Sequence, residues 1–188
     1  MTTDNASVME TINQSNASSA GANSDKYLSF VLGNEEYSLE ILKVREIIGL
    51  IDVTSLPQTP DYIKGVINLR GKIIPVVELR TRFGLESIAY TDATCIIVVE
   101  VESTDGELLH MGVIVDTVSE VLSINSSEFE PAPKFATSVN TDYILGIGKV
   151  KEKTIILLDI NKVLSAEEIN ALGNKANAEA EALEANAA

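Results

Sequence analysis

The feature that most constrains this chain is an internal repeat. The stretch DYIKGVINLRGKIIPVVELRTRF at 61–83 lies without a gap on DYILGIGKVKEKTIILLDINKVL at 142–164. Asp61/Asp142, Tyr62/Tyr143, Ile63/Ile144, Gly65/Gly146, Lys72/Lys153 and Ile74/Ile155 are identical. Most other positions are like for like, among them Val76/Leu157, Glu78/Asp159 and Leu79/Ile160. Upstream, with a shifted offset, Val44-Arg45-Glu46-Ile47 matches Val118-Ser119-Glu120-Val121. The chain must therefore fold one small unit twice.

The unit reads as follows. Thr59-Pro60-Asp61 carries the signals of a helix start, and Gly65 would stop that helix after one turn. Two apolar runs, Val66-Ile67 and Ile73 to Val77, then flank the polar turn Leu69 to Lys72, which predicts a β-hairpin. Pro75 cannot donate to a ladder and belongs at an edge or a bulge. Strands are also predicted at 27–32 and 35–41 around Gly33-Asn34, and at 93–102 and 107–115 around a turn at 103–106. Residues 41–48 (ILKVREII) have apolar spacing compatible with a helix, but their counterpart GVIVDTVSEVL is too β-branched for one, so both are assigned to strands.

About five short strands thus recur in each copy. The predicted fold is mostly β: two five-stranded SH3-like barrels, repeat one at about 27–85 and repeat two at about 92–164, plus a C-terminal helix. Strand exchange between the barrels is expected. Each barrel alone is marginal in size, so the two should share a buried apolar seam. Composition agrees: 45% of residues are hydrophobic, yet Trp is absent and aromatics make up 5%, leaving Val, Ile and Leu to build the core. Such side chains suit a pleated, half-buried surface.

The tails read differently. Residues 1–25 are rich in Asn, Ser, Thr and Ala with few apolar anchors, and are expected to be disordered; they lack the basic and apolar regions of a secretory signal. Residues 165–188 predict a helix with a fraying end. Ser165 and Glu168 form an S-x-x-E capping box, and Ile169 and Leu172 are the residues expected to dock.

Composition and motifs exclude several functions. The net charge is −14, and the body, 26–164, carries 20 acidic and 13 basic residues, which disfavours nucleic acid and anionic membranes. No apolar run approaches membrane-spanning length. With Cys95 as the lone cysteine there is no internal disulfide, which fits a reducing compartment, and it reads as a small buried hydrophobe. His110 is the lone histidine, so no set of soft metal ligands can be assembled, and no nucleotide-binding glycine fingerprint appears. Carboxylates scatter over turns and strand faces. No catalytic residue, cofactor or metal is predicted.

The feature left over is Arg70, held at the hairpin tip before Gly71. A glycine permits positive φ, and a planar guanidinium grips a carboxylate in a fork that lysine cannot. Copy two has Lys151-Glu152 there. Arg70 is therefore a candidate binding residue of copy one alone, with Glu46 its natural companion.

The run TPDYIKGVINLRGKIIPVVELRTRFGL closely resembles the signature of the CheW family of bacterial chemotaxis coupling proteins. The resemblance continues through YLSFVLGNEEYSLEILKVREI, VIVDTVSEVL and PAPKFA to ILLDINKVLSAEE, roughly 26–170. It implies two packed SH3-like barrels with chain exchange and no catalytic activity. It implies a cytoplasmic adaptor, recruited to membrane receptor arrays, that joins the cytoplasmic tip of a chemoreceptor to the regulatory domain of a CheA-type histidine kinase. Receptor tips are expected in the apolar groove between the barrels. By motif, the receptor-facing positions would be Val44, Glu46, Gly65, Arg70, Gly112 and Val121, with Arg70 and Glu46 expected to pair or lie close. Kinase docking uses barrel edges, and its residues are not assigned.

Overall fold

A computed structural model describes residues 5–17, 24–132 and 142–186. Of PAPKFA, only Pro131 and Ala132 fall within them, and the last two residues of the predicted C-terminal helix fall outside. Helix α1 (Asn5–Ala17) precedes β1 (Ser24–Leu32) and β2 (Glu35–Glu40), followed by a 3-10 turn (Ile41–Lys43) and β3 (Val44–Gly49). Next come β4 (Ile63–Leu69), β5 (Lys72–Glu78), α2 (Leu79–Arg82), β6 (Cys95–Glu102), β7 (Leu108–Val115), β8 (Thr117–Asn125) and β9 (Phe129–Pro131). The chain continues through β10 (Ile144–Val150), β11 (Lys153–Leu158), α3 (Ile160–Val163) and α4 (Ala166–Asn186).

One sheet has the order β3-β6-β7-β5-β4 and the other β8-β1-β2-β11-β10-β9. The two orders correspond strand by strand under the repeat: β3 with β8, β6 with β1, β7 with β2, β5 with β11 and β4 with β10. Each sheet holds one parallel pair, β5 with β7 and β11 with β2. Repeat and sheet do not coincide, because hairpin β1–β2 pairs with β8 and β11, and β6–β7 pairs with β3 and β5. The result is the mostly-β pair of SH3-like barrels with a C-terminal helix, β9 adding a sixth strand to one sheet.

The shared seam is the largest apolar cluster. It draws Leu28, Phe30, Leu39 and Leu158 from one sheet and Val77, Ile97, Val99 and Val113 from the other. Each barrel keeps a smaller core of its own, around Leu122, Ile155 and Leu157 in one and Ile74, Val76, Ile96 and Val98 in the other. Strand β6 serves two cores at once, so it reads as an unbroken apolar run rather than an alternating one. Phe30, Tyr37, Phe83 and Tyr143 stack in succession across the seam, with ring centroids 6.0, 5.6 and 4.9 Å apart.

Four expectations are corrected. The lead-in is not wholly without structure: α1 forms, and β1 starts at Ser24, because Val8 and Ile12 find places in the main core. The Pro60–Gly65 segment is not a helical turn. Thr59 donates its hydroxyl to the Leu56 carbonyl, the Ile63 N–H closes a tight turn on Pro60, and Gly65 sits in β4. Residues 41–43 are a 3-10 turn, and a bulge at Arg45 then sets both Val44 and Glu46 against consecutive residues of β6. The 3-10 turn and the bulge together bury Ile41, Val44 and Ile47 at intervals of three, imitating a helical stripe in what is a turn and a strand. Finally, α4 runs to Asn186 and buries Ala176 as well as Ile169 and Leu172.

The capping box holds: the Glu168 N–H donates to Ser165 Oγ at 3.2 Å, and the Ser165 N–H to Glu168 Oε2 at 2.7 Å. Pro75 stands one residue before β5 begins to pair with β7, where no donor is required on that side.

Candidate docking face

The β4–β5 turn is built first by backbone geometry. Arg70 and Gly71 have φ of 51° and 84°, the double left-handed step of a type I′ hairpin. Asn68 Oδ1 accepts from the Gly71 N–H at 2.9 Å and stiffens the turn. The Arg70 side chain is thereby aimed back across the sheet toward β3. There Glu46, lifted by the bulge at Arg45, receives it in a fork: Nη1 to Oε1 at 2.7 Å and Nη2 to Oε2 at 2.9 Å. Glu46 is mostly covered, at 19%, whereas Arg70 is 75% exposed. The carboxylate is thus a fixed anchor and the guanidinium keeps an open face. Copy two has the same backbone, with φ of 49° at Lys151 and 67° at Glu152, but among the described residues no ion pair joins Lys151 to Glu120.

The remaining expected positions separate into two groups. Val44 opens β3 and Val121 lies in β8, the corresponding strands of the two copies, and both belong to the main core or pack on it. Helix α1 packs against the 3-10 turn, β3 and β8, so it occupies the space those strands flank. Gly65 and Gly112 are interior. A Cβ on Gly65, at φ 142°, would lie 1.9 Å from the Thr54 carbonyl oxygen, and one on Gly112 would lie 2.8 Å from Ile96 Cγ2. These glycines shape the barrel that carries Arg70 and offer a partner no side chain.

A second polar network, which sequence reading missed, ties the two sheets together. Arg80 forks onto Asp116 at 2.7 Å through Nε and Nη2, and the Gly33 N–H donates to the same carboxylate at 2.8 Å. Burial pushes the Asp116 carboxyl upward, but the hydrogen bonds from Arg80 and Gly33 outweigh it and hold it below its ordinary value. Glu78, 2% exposed, accepts from Thr81 and from the Tyr90 hydroxyl and pairs with Lys64 at 3.0 Å. Burial opposes its ionised form, and the hydrogen bonds from Thr81, Lys64 and Tyr90 more than offset that. Arg82 donates to the Val163 carbonyl, its own counterpart in copy two, and lies over the Tyr62 ring. A signal was present in the sequence, since Glu78 and Arg80 are charges closely following the apolar run Ile73 to Val77.

Burial pushes the Cys95 thiol up to about 11, away from nucleophilic character. His110, in β7, stands 3.6 Å from Glu100 of β6. Among the described residues no three metal-ligating side chains are grouped, and no helix is long and apolar enough to cross a membrane.

Comparison with known proteins agrees with this architecture. The CheW-like domain family model matches residues 26–168. The chain belongs to the CheW-like family. It is 44% identical over 151 residues to the chemotaxis protein CheW of Klebsiella aerogenes, covering 80% of this chain and 88% of that one. It is 32% identical to CheW of Rhizobium meliloti, over 75% and 88% of the two chains. The crystal structure of the scaffolding protein TtCheW from Thermoanaerobacter tengcongensis superposes with a TM-score of 0.67 at 38% identity, over 74% of this chain and 92% of that one. As a CheW-like chain it is a chemotaxis scaffold, not an enzyme. The matched domain begins after α1, so that helix lies outside the matched residues.

Proposed function

We propose that this scaffold couples the cytoplasmic tip of a chemoreceptor to the regulatory domain of a CheA-type histidine kinase, in the cytoplasm at membrane receptor arrays. The observation that carries the reading is the solvent-facing fork of Arg70 on Glu46, present on one copy of a duplicated fold and without a counterpart among the described residues of the other. A duplicated scaffold needs no such pair to fold, since copy two forms the same turn without it. The pair supports a receptor-docking face on the barrel of β3–β7 made of Arg70, Glu46 and Val44, with Val121 of β8 as its proposed opposite wall. Gly65 and Gly112 contribute by setting the shape of that barrel.

The mechanism is bivalence. One rigid two-barrel body holds both partners and raises the effective concentration of each for the other, with no change of shape required. The kinase domain would use barrel edges away from the groove. The acidic body argues against a nucleic-acid partner.

Sedimentation of the chain with a chemoreceptor cytoplasmic fragment and a CheA-type regulatory domain tests this. A ternary species larger than either binary complex is expected. Mutually exclusive binding, or binding of neither, would contradict it.

A further inference from the structure

We propose that α1 is an intramolecular plug of the inter-barrel groove, which a partner's amphipathic helix must displace. This rests on the reading that the receptor docks between β3 and β8.

Four observations carry it. First, α1 packs on the 3-10 turn, β3 and β8 together, so it lies across the seam between equivalent strands of the two copies. Both strands are at the ends of their sheets, and a helix laid between them covers edges that would otherwise be open. Second, the contact is a narrow stripe. Val8 and Ile12, four residues apart, are 5% and 0% exposed, and Met9 packs on the core partly buried, while Glu10, Thr11 and Asn13 face outward. This is the helix-in-groove mode of recognition, and it identifies the occupant the groove accepts: a helix presenting apolar residues at i and i+4.

Third, α1 is poorly equipped to persist without the groove. It has 13 residues, no acidic residue in its first turn, no basic residue in its last, and a composition heavy in Asn, Ser and Thr. A helix of this length is marginal alone in water, so its order comes from docking. Fourth, α1 ends at Ala17 and lies outside the matched CheW-like domain, which begins at residue 26. A plug on a separate segment can leave without breaking the fold.

The consequence is a competition. Strands β3 and β8 carry Val44, Glu46 and Val121, so a receptor helix and α1 address the same strands. Apparent receptor affinity is then the intrinsic affinity reduced by the fraction of chains with the groove open.

Hydrogen exchange on the full chain tests this, with and without a chemoreceptor cytoplasmic-tip fragment. Amides of α1 should be protected in the free chain and exchange at least about tenfold faster in the complex. The full-length Ile12→Asp chain, with barrel circular dichroism unchanged, should bind the fragment at least about fivefold tighter than the parent. Equal protection of α1 in the complex, or no gain in affinity for Ile12→Asp, would overturn the proposal.

A labelled peptide of residues 5–17 separates this inference from the receptor reading. It should bind the Ile12→Asp chain and not the parent. If the fragment binds neither chain but the peptide discriminates between them, the receptor reading falls and the plug stands. A peptide that does not discriminate overturns the plug.

Discussion

The two hairpin turns of the repeat share a backbone and differ in chemistry. Arg70-Gly71 and Lys151-Glu152 both adopt the double positive φ of a type I′ turn. Copy one meets that demand with glycine at the second position and a stiffening bond from Asn68, and Arg70 is locked onto Glu46. Copy two places a glutamate at φ 67°, a conformation that side chains adopt at a cost. The same contrast runs through the hairpins: Glu78 is buried and fully engaged, while its counterpart Asp159 caps the short helix α3. Duplication supplied the scaffold twice, and copy one carries polar contacts at Arg70 and Glu78 that copy two does not repeat among the described residues.

That contrast can be pressed at several sites. The largest effect is expected at Gly65, where a Cβ would strike the Thr54 carbonyl at 1.9 Å. Gly65→Ala should lower stability in chemical denaturation by roughly 3 kcal/mol or more. Gly146→Ala should cost less, because its neighbours are the three-residue strand β9 and the Phe129 ring, which can shift. Equal losses at the two glycines would mean the copies are mechanically equivalent there.

Glu78 comes next. Glu78→Gln should destabilise by roughly 1–3 kcal/mol, since it weakens a buried acceptor serving Thr81, Tyr90 and Lys64. Asp159→Asn should do much less. The pH dependence follows from the sign of the shifts. Glu78 and Asp116 have folded pKa values below their ordinary 4.5 and 3.8, so their contribution is complete above those values and is lost as pH falls through the lower, folded ones. Acid unfolding profiles of Glu78→Gln and Asp116→Asn should therefore be flatter below about pH 4 than that of the parent.

The smallest effect is at the second turn. Glu152→Gly relieves a left-handed side-chain residue and should stabilise by about 0.5 kcal/mol, whereas Gly71→Glu should destabilise by a similar amount. Thermal midpoints of the two variants, moving in opposite directions, would place the strain in copy two.

Much of this was legible in the sequence because the repeat is explicit. Two hairpins in register, each with its polar turn, fix two barrels, and Ser165 with Glu168 fixes the start of α4. The bulges were not legible. Arg45 and Lys64 each add one residue to a strand, which shifts the apolar spacing away from two and made 41–48 ambiguous. Gly65 looked like a helix stop because its demand comes from Thr54, a distant partner brought close by the single bridge between Thr54 and Val66. Helix α1 escaped for a related reason: three apolar residues, Val8, Met9 and Ile12, in a polar stretch count only when a groove is there to receive them. Arg70 stood out as a guanidinium on a glycine turn, but its pairing with Glu46 was legible only through the resemblance to the CheW family.

The central claim is that the copy-one turn, and not its twin, faces the partner. Titrating a chemoreceptor cytoplasmic-tip fragment into Arg70→Glu and Lys151→Glu chains, with far-UV circular dichroism to establish folding, tests it most directly. The account predicts a loss of roughly thirtyfold or more in affinity for Arg70→Glu and little change for Lys151→Glu. Equal effects from the two reversals would contradict it.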